Sequence, residues 1–353
     1  MSKSILSILF FTPFLTFSQL SIGGSEPEML AGEVLPGFGT QIMNVQSSGN
    51  QHAMGYFQAN VLNMPFTSGV LMTTGTTFDV PDGPHTPNDR RDAGFHNNSG
   101  SYQLLSDLIG GETFNATVLE FDFIPSADSL KLRYIFGSDE YPEYVGTKFD
   151  DVFAIFISGP GYSGLQNIAV LPENRPVAIN NVNGGNSPSS VPYVPATNPA
   201  LFVYNGDGMT FPYSSTVYQY LQYDGLTKPL TARAHVIPGE TYHLILTIAD
   251  VGDGIFDSGA FIEAYSLTAG MEEEYLNSLA SVFPNPATGE LTIHAEKGNS
   301  FTAYEIADVY GNIVQLAALS GDVTTDISEL ASGVYFVRLI APSGIVTKKI
   351  QKL

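Results

Sequence analysis

The feature that most constrains the fold is a series of short segments in which apolar and polar residues alternate, separated by turn residues. Residues 117–124 and 130–136 are the clearest examples, with leucine, phenylalanine and tyrosine at every second position. Alternation with a period of two places these side chains on one face of a β-strand. Residues 125–128 between them have the composition of a turn, so the two strands are predicted to form a hairpin.

The remaining segments extend this pattern over most of the chain. Residues 152–157 and 242–249 are more continuously apolar, which is typical of central strands covered on both faces. One short helix is predicted between an N-cap at Ser99 and a stop at Gly110. The chain contains no Cys, so a disulfide scaffold is excluded and stability must come from packing. We therefore predict an all-β fold, with a jelly-roll-like β-sandwich as the main domain over residues 26–268.

The N-terminus has the order of a secretory signal peptide. Lys3 precedes an apolar run over residues 5–17, and Thr16 and Ser18 are small residues at the positions where cleavage is expected. A membrane-spanning helix needs about 20 apolar residues, so this run is too short to be an anchor. Residues 1–18 are therefore predicted to be removed, and the mature chain is predicted to be exported without a transmembrane segment.

The C-terminal part is a second, smaller β unit. A polar linker is predicted over residues 269–282, followed by short alternating strands over residues 283–353 that predict a small immunoglobulin-like β-sandwich. The unit opens with Phe-Pro-Asn-Pro at residues 283–286 and ends with a basic strand at residues 348–350.

The order of these segments resembles the C-terminal sorting domain of the bacterial type IX secretion system (Por, type A). The resemblance implies that residues 283–353 contact the type IX machinery and carry the protein across the outer membrane. It also implies that the tail is usually removed as the protein is released or attached to surface lipopolysaccharide. The expected location is secreted, or attached to the outer surface of the bacterial outer membrane.

The charge of the chain is concentrated in the main domain. The whole chain has 35 Asp and Glu against 14 Lys and Arg, a net charge of −21. Residues 26–270 alone hold 25 acids and 8 bases, a net charge of −17. Such a surface repels a phosphate backbone, so non-specific nucleic-acid binding is excluded.

Three loops of the main domain, each next to a predicted strand, carry a cluster of acids. Carboxylates that lie close together raise each other's pKa or need a cation, and Ca²⁺ is the ion that prefers about 6–8 oxygen ligands. The spacing is not that of an EF-hand, because Gly252 and Gly254 stand where that loop needs ligands. Solvated turn residues are the alternative interpretation. The candidate Ca²⁺ ligands are Asp139, Glu140, Asp150, Asp151, Asp250, Asp253 and Asp257.

The same loops belong to a set of segments that resembles the choice-of-anchor L domain, from about residue 31 to residue 267. The matching segments are residues 68–75, 136–141, 150–153, 224–227 and 249–253, with Asp257 and Ser258. The resemblance implies an outer domain that is joined to alternative surface-sorting signals, which agrees with the tail, and it implies no particular activity. Asp150 stands where an Asn is expected in the family.

Two functions remain open from the sequence. The first is a non-catalytic binding or adhesion protein that recognises a glycan or matrix polymer, with Tyr218, Tyr220 and Tyr223 as candidate ligand-binding residues. The second is a secreted glycoside hydrolase that uses two of the loop acids, which requires a carboxyl pair about 5–9.5 Å apart across a cleft. Binding is favoured over catalysis because the acids crowd at strand ends, and no catalytic residue is assigned.

Overall fold

The computed structural model describes residues 20–59, 64–77, 83–86, 88, 93, 96–186, 192–206, 221–269, 279–295, 301–309, 311–319, 321–341 and 344–353. The predicted signal peptide, residues 1–18, lies outside these residues, as do residues 270–278 of the predicted linker. The described residues form two β units, so the prediction of an all-β fold is confirmed. In this part of the chain, every helix is too short or too polar to cross a lipid bilayer.

The main unit consists of two β-sheets. Its strands are β1 (Leu20–Gly23), β2 (Thr40–Ser48), β3 (Met54–Ala59), β4 (Ser68–Thr73), β5 (Thr113–Pro125), β6 (Ser129–Ser138), β7 (Val152–Ser158), β8 (Gln166–Asn167), β9 (Val170–Leu171), β10 (Arg175–Ala178), β11 (Phe202–Tyr204), β12 (Gly225–Thr227), β13 (Leu230–His235), β14 (Tyr242–Val251), β15 (Ser258–Glu263) and β16 (Thr268–Ala269). Its α-helices are α1 (Pro27–Met29), which continues as a π-helical turn over Leu30–Val34, and α2 (Gln103–Ile109).

The described strands of one sheet follow the order β1-β3-β4-β15-β6-β12-β11, with β13 and β16 also paired to β6. Those of the other sheet follow the order β2-β5-β14-β7-β10-β9, with β8 paired to β7. The core lies between the sheets and includes Phe121 and Phe123 of β5 against Tyr134 and Phe136 of β6, all 1% exposed or less. The alternating residues of the two strands therefore form opposite walls of one sandwich.

The predicted hairpin between β5 and β6 is wrong, because the two strands lie in different sheets. β5 pairs with β2 and β14, whereas β6 pairs with β15, β12, β13 and β16 in the other sheet. The turn after β5 carries the chain across the core instead of folding it back in one sheet. An alternating pattern defines the inward face of a strand, but both arrangements present that face to a core.

The continuously apolar strands are central, as predicted. β14 lies between β5 and β7, and its register places Leu246 opposite Leu119 on one side and opposite Ile155 on the other. The outer face of this sheet is covered by α2, whose Leu105 packs with Val118 and Ile245. Both faces of β14 are therefore removed from water, which explains the absence of alternation in its sequence.

The predicted helix exists, but its start differs from the prediction. Tyr102, not Ser99, is the N-cap, and Gly110 ends the helix in the left-handed region with φ 73°. Ser99 and Gly100 are held in an extended segment, because their carbonyl groups accept hydrogen bonds from the amides of Asn115 and Ala116. This pairing with β5 prevents Ser99 from adopting the geometry of a cap.

The C-terminal unit is a small sandwich of its own. Its described strands form two sheets, in the orders β17-β18-β21 and β20-β19-β22-β23. Leu291, Ile293, Ile306 and Val337 are fully buried between them. The strands are β17 (Ala280–Phe283), β18 (Glu290–Ala295), β19 (Ala303–Ala307), β20 (Ile313–Ala318), β21 (Val323–Asp326), β22 (Gly333–Ala341) and β23 (Gly344–Lys352).

Candidate functional site

The three acidic loops meet at one end of the main sandwich. β6 ends at Ser138, directly before Asp139 and Glu140, while β7 begins directly after Asp151. β14 and β7 are antiparallel, and Ala249 lies opposite Val152, so the end of β14 lies beside the start of β7. β15 and β6 pair Ser258 with Ser138 in the other sheet. We call the seven acids at this end the carboxylate cluster: Asp139, Glu140, Asp150, Asp151, Asp250, Asp253 and Asp257.

Asp151 connects the two sheets at this end. One of its carboxylate oxygens accepts a hydrogen bond from the Ser258 hydroxyl at 2.6 Å, and the other accepts one from the Val251 amide at 2.9 Å. Ser258 follows Asp257, and Val251 follows Asp250. A single buried carboxylate thereby brings residues from β14 and β15 together with the start of β7.

A second set of contacts surrounds Asp250 and Asp257. The Asn115 amide donates to Asp250 Oδ2 at 2.8 Å. The turn after β4 lies against Asp257, because a Cβ atom added at Gly75 would stand 2.2 Å from Asp257 Oδ2. A side chain at Gly75 would have to displace the Asp257 carboxylate, so the turn encloses this carboxylate closely.

Five of the seven acids are almost completely buried. Asp139 is 3% exposed, Glu140 2%, Asp151 0%, and Asp250 and Asp257 1% each. Asp150 and Asp253 are partly exposed and mark the solvent side of the cluster. Charged side chains are rarely buried without a partner, so this density of acids requires a compensating proton or cation.

Burial raises the pKa values of the cluster, because it disfavours the charged form of a carboxyl group. Burial, followed by the charges of Asp151 and Asp253, raises the pKa of Glu140 to about 9. Burial also raises the pKa of Asp151 to about 7, although its hydrogen bonds from Ser258 and Val251 oppose the rise. The pKa of Asp250 lies well above its ordinary value, first because of burial and then because of Asp151 and Asp257. Without a bound cation, the carboxylate cluster therefore holds protons at pH 7, above all on Glu140.

Glu140 Oε2 is a buried carboxylate oxygen of the cluster, and it lacks a hydrogen-bond donor among the described residues. Among the described Lys and Arg side chains, none forms an ion pair with Glu140, Asp151 or Asp250. In the same part of the chain, no three His, Asp or Glu side chains are arranged to share one metal ion.

Aromatic rings cover the solvent side of the acidic loops. Tyr144 packs edge-to-face on Phe149 at 5.2 Å between ring centroids, and it packs on Phe256 at 5.3 Å. The Lys148 ammonium lies 4.9 Å from the centre of the Phe149 ring. These contacts join the loop after β6 to the loop after β14.

The tyrosines predicted to bind a ligand are placed differently. Tyr218 and Tyr220 lie outside the described residues. Tyr223 is 0% exposed, its hydroxyl pairs with Thr73 Oγ1 at 3.0 Å, and its ring packs edge-to-face against Phe261. Tyr223 therefore presents no ring face to an external glycan and belongs to the wall beneath the carboxylate cluster.

Sequence reasoning missed the uncharged residues that shape the cluster. Asn115 bonds Asp250, Ser258 bonds Asp151, and the Thr74 hydroxyl accepts a hydrogen bond from the Ser258 amide at 2.9 Å. Thr74 and Ser258 lie within segments singled out by family resemblance, which was the available signal. Asn115 had no such signal from the resemblance, although it lies four residues before Leu119 and therefore on the inward face of β5.

The fold and the cluster together define a two-unit β-protein with an acid-rich main sandwich and a separate C-terminal sandwich. The chain belongs to the choice-of-anchor L domain family, whose sequence model matches residues 21–268. The model of the secretion system C-terminal sorting domain matches residues 281–352. The protein is thus a substrate of type IX export, and it is secreted or attached to the outer surface of the bacterial outer membrane. None of the curated proteins is significantly similar to the chain.

The chain is distantly similar to several solved structures. The BSP domain of a biofilm-associated protein is 8% identical, with a TM-score of 0.20, and the match covers 69% of this chain and 49% of that one. The chain thus spans about half the length of that protein. A β-1,2-glucanase from Parabacteroides distasonis is 11% identical, with a TM-score of 0.20 over 90% of this chain and 38% of that one. The CBM51-2 and INT domains of Clostridium perfringens ZmpB with GlcNAc are 8% identical, with a TM-score of 0.16 over 89% and 92% of the two chains. Similarities at this level carry no inference about function.

Proposed function

We propose that the protein is a non-catalytic binding or adhesion protein of the cell surface, in which Ca²⁺ orders the acidic loops of the main domain. The observation that supports this most strongly is Glu140, which is 2% exposed and has a buried carboxylate oxygen without a donor among the described residues. Its pKa of about 9 means that the ionised form is strongly disfavoured without a cation. A bound divalent cation supplies the missing partner.

Calcium suits this environment better than other metals. The chain contains no Cys, and the cluster contains only oxygen ligands, which a hard cation prefers. Because no three described acids are arranged around one point, the ion takes at most two carboxylates as they stand. Calcium accepts backbone carbonyl, amide and water oxygens in a flexible shell of about 6–8 ligands, so two carboxylates are sufficient.

Burial of the acids favours binding over hydrolysis. A glycosidase needs two carboxyl groups on either side of a cleft that admits the sugar. Five of the seven acids are at most 3% exposed, and two of them, Asp151 and Asp250, are engaged in hydrogen bonds within the protein. These groups are arranged to hold loops together. The exposed surface that the loops support is then the part that meets a glycan or matrix polymer.

Thermal unfolding of the purified full chain tests the calcium component. The protein is melted in EDTA, in excess Ca²⁺ after EDTA, and in excess Mg²⁺ as a control for ionic strength. A ligand that binds only the folded state stabilises it by RT ln(1 + [L]/Kd), about 2.7 kcal/mol at one hundred times the Kd. We expect Ca²⁺ to raise the Tm above its value in EDTA, with a smaller effect of Mg²⁺. An identical Tm in all three solutions contradicts the proposal.

A screen of polysaccharide hydrolysis tests the non-catalytic component. The full chain is incubated with soluble plant and bacterial polysaccharides, and newly formed reducing ends are measured. We expect no turnover above that of a sample inactivated by heat. Turnover that is abolished by Glu140→Gln or Asp150→Asn identifies a hydrolase and overturns the assignment.

A further inference from the structure

We propose that a polar trough beside α2, whose lining includes none of the seven acids of the carboxylate cluster, binds a neutral oligosaccharide. The proposal rests on the proposed function, because it names the ligand class and the surface through which a surface binding protein makes contact. The trough is built from two adjoining cavities of about 510 and 450 Å³. Specific ligand pockets commonly have about 300–1,000 Å³, so each cavity has the size for at least one sugar residue.

The two cavities are continuous along the end of β2. Gly49 and Asn50 line both of them. Gly49 has φ 106°, and a Cβ atom there would stand 2.6 Å from the carbonyl oxygen of Ala116. Only glycine allows the chain to leave β2 so close to β5. The end of β2 therefore forms the shared floor of a single elongated trough.

The lining of the trough is chemically suited to sugar hydroxyls. Side-chain amides come from Asn50, Gln51 and Asn98, and hydroxyls come from several serines and Tyr102. Amides and hydroxyls both donate and accept hydrogen bonds, as vicinal hydroxyl groups of a sugar do. The lining contains no Lys or Arg, and Glu26 is its single acid among the described residues. A neutral ligand is favoured, since the net charge of −17 on residues 26–270 repels an anionic glycan.

The polar groups of the trough are held in place before any ligand arrives. Asn50 accepts a hydrogen bond from the His52 amide at 2.9 Å and donates to the Asn97 carbonyl at 2.8 Å. Asn98 is in the left-handed region with φ 57°, and its amide donates to the His96 carbonyl at 2.9 Å. Groups fixed in this way lose little conformational entropy when they bind a ligand.

Tyr102 is the tyrosine of the trough lining, and it also packs against the apolar cluster around Leu105. It is partly exposed at the N-terminus of α2 and lines the second cavity. Tyrosine combines an apolar ring face with a polar hydroxyl at the edge, so it packs on a sugar ring and also forms a hydrogen bond. This residue differs from Tyr223, whose ring is fully buried.

Gly100→Trp is designed to block the trough without disturbing the fold. Gly100 lines the second cavity, is exposed and has no left-handed φ, and a Cβ atom there meets no heavy atom within 4 Å. The matched control is Gly32→Trp, because Gly32 is exposed in the same domain and its added Cβ also meets nothing within 4 Å. Asn98→Gly is the second test variant; it removes one amide and keeps the left-handed backbone.

Calorimetric titration of the purified full chain measures binding to cellotetraose, xylotetraose, laminaritetraose and chitotetraose, with tetragalacturonate as the anionic probe. We expect at least one neutral tetrasaccharide to bind, Gly100→Trp and Asn98→Gly to weaken it by roughly tenfold or more, and Gly32→Trp to leave it unchanged. Absence of binding by all four neutral probes at about 10 mM overturns the proposal. Equal affinity of Gly100→Trp and the natural chain, or a preference for tetragalacturonate, also overturns it.

The two proposals fail in distinguishable ways. None of the seven acids of the carboxylate cluster lines the trough. A Tm that rises with Ca²⁺ together with no binding of a neutral tetrasaccharide refutes the trough and retains the calcium site. If a neutral tetrasaccharide binds, Gly100→Trp weakens that binding, and Ca²⁺ leaves the Tm unchanged, the calcium site is refuted and the trough is retained.

Discussion

Asp151→Asn removes the charge of one fully buried carboxylate while leaving its shape in place. The asparagine oxygen still accepts from the Val251 amide, and its NH₂ group donates to the Ser258 hydroxyl, which turns to accept. The variant therefore isolates the electrostatic contribution of Asp151 from its packing.

The sign and size of the effect follow from the pKa of Asp151, which is about 7 in the folded protein against an ordinary value of 3.8. Between these two pH values Asp151 binds more protons in the folded protein than in the unfolded chain, so its contribution to stability is greatest below about pH 4 and is lost as the pH rises to about 7. Each pKa unit corresponds to about 1.4 kcal/mol, so the loss attributable to Asp151 is about 4 kcal/mol. Without calcium, we expect the unfolding free energy of the natural chain to fall by about 4 kcal/mol more than that of Asp151→Asn when the pH is raised from 4 to 8.

Urea unfolding in EDTA at several pH values, followed by fluorescence, measures this difference. The control is Asp107→Asn, since Asp107 is exposed on α2 and bonds only the Gln103 amide among the described partners. We expect the control to follow the natural chain at every pH. In excess Ca²⁺ the natural chain is expected to become the more stable of the two proteins. It gains stability from the ion, whereas Asp151→Asn gains less because a ligand or a nearby charge is missing.

Two results refute this reasoning. One is a natural chain whose unfolding free energy in EDTA does not fall between pH 4 and pH 8. The other is an Asp151→Asn variant with the same pH dependence as the natural chain, which means that the carboxylate is ionised without cost and is better solvated than its burial indicates.

Three further predictions concern other residues. Glu140→Gln is expected to raise the Tm in EDTA at pH 8 and to diminish the response to Ca²⁺, and an unchanged response removes Glu140 from the ligands. Tyr141→Phe leaves the buried Val182 carbonyl without its 2.6 Å hydrogen bond, and urea unfolding is expected to show a loss of about 1–2 kcal/mol; a neutral effect means that water replaces the hydroxyl. Deletion of residues 283–353 is expected to leave the protein in the periplasm by immunoblot of cell fractions, and normal release of the truncated chain contradicts the role of the tail.

The sequence predicted the faces of strands better than their partners. Leu119, Phe121 and Phe123 point into the core as their alternation requires. The hairpin of β5 and β6 was wrong because pairing depends on which sheet completes the sandwich, and a four-residue turn permits both outcomes. Sequence position likewise suggested a cap at Ser99, although β5 holds that segment extended.

The acids of the site were foreseen, but their burial was not. Strand order brings together the residues that end β6 and β14 and precede β7, and this could be inferred from where acids flank apolar runs. The depth of burial depends on the Asn, Ser and Thr residues around them, such as Asn115 and Thr74, whose side chains have no distinctive pattern in sequence. Local sequence reports charge, whereas desolvation is a property of the complete fold.

Calorimetric titration of Ca²⁺ into the EDTA-stripped, dialysed full chain tests the central claim most directly. Because Glu140 and Asp151 have pKa values of about 9 and about 7, calcium must displace protons near pH 7, and the measured heat must change with the ionisation enthalpy of the buffer. We expect saturable binding, with a Kd between about 1 μM and 1 mM, and release of about one or two protons per ion. Absence of binding at about 10 mM Ca²⁺, or binding whose heat is the same in phosphate-free buffers of low and high ionisation enthalpy, contradicts a calcium site made from these buried acids.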